Sequence, residues 1–142
     1  MSRMLMRAKV KLENARHSLS KIDVDDAYMD DCCYNLQQSI EMILKAIVEL
    51  NGEQYAENHD IRSNINILNK LGIEIPSQKE LRNMASTIYS WETESRYREC
   101  FVALKDDIND ALKIAEDLIK YADSLVNIVS GENLKDIPDK KL

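Results

Sequence analysis

Apolar residues recur along the chain every three or four positions, a spacing that predicts helices. The strongest run is Cys33, Leu36, Ile40, Ile43, Ile47 and Leu50, extended backward by Met29 and widened by Leu44 and Val48. So wide a stripe suits a helix covered by several neighbours rather than one lying on a surface. This helix should run from about residue 25 to 51, with Asp23 or Asp25 as cap, Asp26 in its first turn and Gly52 at its end. Before it, Leu5, Ala8, Leu12, Ala15 and Leu19 mark a first helix over about 3–20.

After a polar loop at 53–58, Asn58 is placed to cap a third helix over about 60–71, carrying Ile61, Ile65, Leu68 and Leu71 and stopped by Gly72. Ser77 and Glu80 have the capping-box spacing and open a fourth helix, with Leu81, Met84, Ile88 and Trp91 on one side, reaching about residue 92. Residues 93–103 have no clean period and read as an ordered loop with anchored aromatics. A fifth helix over about 104–129 follows, with Leu104, Ile108, Leu112, Ala115, Ile119, Ala122, Val126 and Val129 near the core and Gly131 as its terminator. Short connections favour antiparallel neighbours, so the expected fold is all-α, an up-and-down bundle of about five helices. One domain over 1–130 and a loose charged tail over 131–142 are expected.

Composition sharpens this picture. With three Gly and two Pro in 142 residues, few positions break a helix. The formal charge of −6 argues against a general nucleic-acid coat protein. Charge is uneven, however: residues 1–22 hold Arg3, Arg7, Lys9, Lys11, Arg16 and Lys21 against Glu13 alone. That basic helix can meet an acidic protein surface or an RNA backbone, or can simply be solvated. Cys32, Cys33 and Cys100 form no metal or disulfide spacing, and reduced thiols point to the cytoplasm. No apolar run approaches a membrane span, and the first residues do not resemble a signal peptide. Neither metal-ligand spacing nor a glycine-rich phosphate loop is present, so no metal or cofactor is expected.

Polar groups beside the central stripe are the first candidates for chemistry. Gln37, Gln38, Glu41 and Lys45 can line a groove between helices, with Lys45 meeting a phosphate as a point charge. Glu41 and Lys45 also have the favourable spacing of a helical ion pair. His59 and Asp60 can act as a base and its orienting carboxylate, or can cap the third helix and fix the loop. Arg96 and Arg98, near Tyr97, Tyr89 and Trp91, can grip a phosphate and stack a base. Equally, Tyr97 can fill the end of the bundle while Arg96 pairs with Glu41 or Glu94.

Three segments occur in a telling order: Gln37-Gln38-Ser39-Ile40-Glu41 running on to Lys45-Ala46, then His59-Asp60-Ile61 at a helix start, then Ser95-Arg96-Tyr97 before the last helix. Together they resemble the HEPN (higher eukaryote and prokaryote nucleotide-binding) domain, over about residues 5–129. Its usual pattern is Gln-Gln-Ala-x-Glu-x-x-x-Lys-Ala, His-Asp-Leu and Ala-Arg-Tyr-Pro. Ser39, Ile61, Ser95 and Arg98 depart from it. The resemblance implies a helical bundle that often forms homodimers and is often encoded beside a minimal nucleotidyltransferase.

RNase members of the family carry Arg, four to six residues, then His. The two histidines here, His17 and His59, are preceded at those distances by Leu12, Lys11 and Val10, and by Gln54, Glu53 and Gly52, so that motif is absent. The expectation is a nucleotide- or RNA-binding homodimer that partners a minimal nucleotidyltransferase in a toxin–antitoxin-like pair, with Arg96, Tyr97, Lys45, His59, Gln38 and Glu41 at the ligand. The alternatives are a divergent RNase built on Arg96, His59 and Tyr97, and a ligand-free helical interaction protein.

Overall fold

The computed structural model describes the backbone of residues 2–91 and 102–135, and the side chains of 2–91 and 105–128. Five helices make up these residues: α1 (Arg3–Ser20), α2 (Ala27–Leu50), α3 (Ile61–Lys70), α4 (Gln78–Ser90) and α5 (Val102–Lys135). No strand occurs among the described residues, so the fold is all-α as expected. The expected loop over 93–103 lies outside the described residues up to position 101, as does the chain beyond 135.

α2 touches each of the other four helices. Leu36, Ile40, Ile43, Leu44 and Ile47 are fully buried along it. Cys32, Cys33, Ser39, Ala46 and Val48 are buried too, so the helix is covered on nearly every side. Small residues let α1 approach closely, with Ala8 and Ala15 both sealed and the Ser39 hydroxyl donating to the Ala8 carbonyl at 2.8 Å. The Ser18 hydroxyl meets the Asp31 carboxylate at the other end of this contact. Pairing 8 with 39 and 18 with 31 makes α1 and α2 antiparallel. α1 also runs antiparallel to α5, through Lys9–Asp123 at 2.7 Å and Arg16–Glu116 at 3.2 Å. The basic charges of α1 are thus partly spent on the acidic face of α5. Exposed pairs of this kind contribute about 0.2–1 kcal/mol each.

Local chemistry sets the ends of the elements. Ser2 caps α1 by accepting from the Leu5 amide. At α2 the residue in the cap position is Asp26, but the capping bond comes from Asp25, which accepts from the Ala27 amide at 2.9 Å. Gly52, at φ 80°, ends α2 with two bonds, its own amide to the Glu49 carbonyl and the Glu53 amide to the Val48 carbonyl.

Three boundaries differ from expectation. Asp60, not Asn58, caps α3, its carboxylate accepting from the Arg62 amide at 3.0 Å, while Asn58 turns the loop by accepting from the Asp60 amide. Ser77 makes no capping box. It sits in the left-handed region at φ 58°, where its hydroxyl faces away from the helix and donates to Asp117 at 3.2 Å. Finally, Gly131 does not end α5, which continues to Lys135. One glycine costs a helix about 1 kcal/mol relative to alanine, which a 34-residue helix absorbs.

Burial on α2 should dominate stability. Ile40→Ala is expected to lower the unfolding free energy by about 2–5 kcal/mol. Val10→Ala, on the exposed face of α1, should change it by less than about 0.5 kcal/mol. Urea unfolding midpoints at unchanged m-value check both.

Candidate functional site

The site forms because the chain doubles back on α2. Beyond Gly52, the connection runs beside the helix it has just left: Tyr55 reaches Lys45, and His59 reaches Glu41. Asn64, itself buried on α3, holds this segment from behind. Its carbonyl oxygen accepts from the Ala56 amide at 2.9 Å and its amide donates to the Ala56 carbonyl at 3.3 Å.

At the centre is the Glu41 carboxyl. His59 Nδ1 lies 3.3 Å from one of its oxygens, and Gln37 Nε2 donates to the other at 3.3 Å. The two partners differ in access, since the Glu41 side chain is 9% exposed and that of His59 61%. Burial pushes the Glu41 carboxyl above the ordinary carboxylate value of 4.5; the His59 hydrogen bond and charge, the Gln37 hydrogen bond and the Lys45 charge pull it back only in part. One turn further on, the Lys45 ammonium stands 5.4 Å from the centroid of the Tyr55 ring. A half-exposed contact of this sort is worth about 0.5–1 kcal/mol and fixes where the cation sits.

Of the residues expected at a ligand, Glu41, Lys45 and His59 therefore come together, while Gln38 does not join them. Its amide donates to the Tyr34 hydroxyl at 2.7 Å, one turn back along α2. Arg96 and Tyr97 lie outside the described residues. The His59-Asp60 pair is divided: Asp60 turns to Arg62 and caps α3, leaving His59 to face α2. Slight burial raises the Asp60 carboxyl, but the hydrogen bonds and charge of Arg62 outweigh it and hold the group below the usual range. Tyr55 was not anticipated; an aromatic ring inside the otherwise polar 53–58 segment was the available signal.

Other concave surfaces carry different chemistry. A cleft of about 480 Å³ between α1 and α5 is lined by Lys9, Arg16 and Lys120 against Glu13 and Glu116, with Lys9 and Arg16 already engaged in ion pairs across it. Burial drives the Cys32 thiol up to about 12, with the Asp31 charge adding to it, so Cys32 stays protonated and inert. Among the described residues, no group of three or more His, Cys, Asp or Glu side chains could hold a metal ion, and no helix is long and apolar enough to cross a membrane.

The HEPN domain model matches residues 1–127, and the chain belongs to that family. No curated protein and no solved structure matches it. Membership ties the chain, in general terms, to nucleotide- or RNA-related function, in a family whose domains often dimerise.

The Glu41 carboxyl makes stability depend on pH in a definite sense. A carboxyl with a raised native pKa binds its proton more tightly when folded. Its contribution is therefore full below 4.5, the unfolded value, and is lost as pH rises through the native value. Glu41→Gln removes this loss, so the melting temperature of the variant should gain on that of the parent as pH climbs above 4.5. Parallel thermal scans across that window test it, and curves with constant separation would contradict the raised pKa.

Proposed function

We propose that this HEPN domain binds a nucleotide or an RNA segment on the face of α2 that carries Lys45, Glu41 and His59. The observation that carries the reading is the convergence of these three side chains and Tyr55 in one place, drawn from two parts of the chain that are distant in sequence. The half-exposed Lys45 ammonium, steadied over an aromatic ring, supplies a point charge for a phosphate. Tyr55 offers an aromatic ring under it, and His59 a donor or acceptor reachable from solvent. Gln38, Arg96 and Tyr97 complete the proposed ligand set, with the two arginine-segment residues adding a bidentate phosphate fork and a stacking ring.

The wider setting we propose is a cytoplasmic homodimer working with a minimal nucleotidyltransferase as one half of a toxin–antitoxin-like pair, the partner doing the chemistry. Support for it comes from family membership and from the order of the three motifs.

A second reading, a divergent RNase, draws on the same contact. An imidazole oriented by a carboxylate is a serviceable general base. Cleavage of RNA by the parent protein, lost in both His59→Ala and Arg96→Ala, would favour that reading over a binding module.

Binding to the folded state alone raises thermal stability, by about 2.7 kcal/mol at a hundredfold excess over Kd. AMP or a short single-stranded RNA should raise the melting temperature of the parent protein by several degrees, and Lys45→Met should abolish the shift. An unchanged shift in Lys45→Met would remove Lys45 from the site; no shift with any nucleotide would leave the interaction-protein alternative.

A further inference from the structure

From the same cluster we infer that anion binding at Lys45 is coupled to proton uptake by the Glu41–His59 pair, so that the protein holds a phosphodiester more tightly as pH falls. This rests on the nucleotide-binding reading above and specifies how that site is regulated.

Three features of the geometry carry it. First, Glu41 and Lys45 stand one helical turn apart on α2, so the carboxylate opposes any phosphate that docks on the ammonium. Second, the carboxyl is 9% exposed, which leaves its charge poorly screened by solvent. Third, its oxygen lies 3.3 Å from an imidazole that is 61% exposed, giving the pair a solvent-side group through which a proton can arrive. His59 from the returning loop and Lys45 from α2 are the charged or titratable groups acting on Glu41 among the described residues. Gln37 is a neutral donor, and Asp60, next to His59, is engaged with Arg62.

With the carboxylate ionised and the imidazole neutral, the Lys45–Glu41–His59 group sums to zero charge. One proton from solvent, taken up by the Glu41 carboxyl, brings it to +1 without moving a helix. An incoming phosphate monoanion stabilises that protonated form, and by reciprocity the protonated form binds the phosphate more tightly. Burial already inclines Glu41 toward its protonated state. The pair thus supplies the charge that the anion needs, and the overall negative charge of the chain need not oppose it locally.

The probe is the dinucleoside monophosphate ApA, whose phosphodiester keeps a single negative charge across the neutral range and so adds no titration of its own. Calorimetric titration of the full chain with ApA, in two buffers of different ionisation enthalpy at about pH 6–7, measures protons taken up per ligand. Uptake of a fraction of a proton is expected; half a proton corresponds to an affinity loss of about threefold per pH unit. Glu41→Gln, close to isosteric, should bind ApA with buffer-independent heats and a flatter pH profile, its folding being checked by circular dichroism. Should Glu41→Gln lose its fold, His59→Gln in the same pair of buffers takes its place, with reduced uptake expected. Binding by the parent protein with identical heats in both buffers would overturn the proton coupling while leaving the nucleotide reading intact. Failure of the parent to bind ApA at all would overturn both.

Discussion

Burial of α2 on nearly every side is the constraint from which the rest of the structure follows. A helix covered by four others must be apolar around most of its circumference, and Leu36, Ile40, Ile43, Leu44 and Ile47 meet that demand. Any polar side chain on it then needs a partner, because an unsatisfied buried group costs about 1–3 kcal/mol. Ser39 meets the requirement through the Ala8 carbonyl, and Asn35 through the Asp31 carbonyl one turn back. Glu41 is the demanding case, since a carboxyl cannot be sealed in with one weak bond. It draws on Gln37 from its own helix and on His59 from outside it.

The connection after Gly52 that joins α2 to α3 also brings His59 to that carboxyl. A left-handed glycine reverses the chain, and the Asn64 side chain pins Ala56, while Asp60 starts α3 at the point where His59 has been delivered. Family membership and this local geometry converge on one face of α2. The Arg-x(4–6)-His signature is missing from the sequence, and of the two histidines His59, in the loop before α3, lies against the Glu41 carboxyl of α2.

Local patterns were legible and distant pairings were not. α1 spans Arg3–Ser20, as its apolar spacing requires, and α2 lies within two residues of the expected start and one of the expected end. The glycines that terminate α2 and the first turn beyond α3 were equally readable, because their role depends on neighbours in sequence. Ser77 defeats the capping-box reading because its partner, Asp117, is forty residues away and its backbone is left-handed. Gly131 defeats the terminator reading because a long helix outweighs a single weak former. At the site, motif order drew attention to Glu41, Lys45 and His59; the aromatic Tyr55 in a polar segment marked an anchored ring, but its partner Lys45, on the preceding helix, was not readable from neighbours in sequence. Nor does sequence adjacency show that the Gln38 amide, near Glu41 in the chain, donates to the Tyr34 hydroxyl one turn back.

The most direct test of this account is the titration of the Glu41 side-chain carboxyl, followed by its carbon-13 chemical shift in the full chain and in His59→Gln. If the carboxyl is buried on the central helix and held by the imidazole, its midpoint lies above 4.5, and moves up further when His59 is replaced. A midpoint in the ordinary glutamate range that ignores the loss of His59 would mean that the carboxyl is solvated, that the returning loop does not close on α2, and that the proposed site does not exist as drawn.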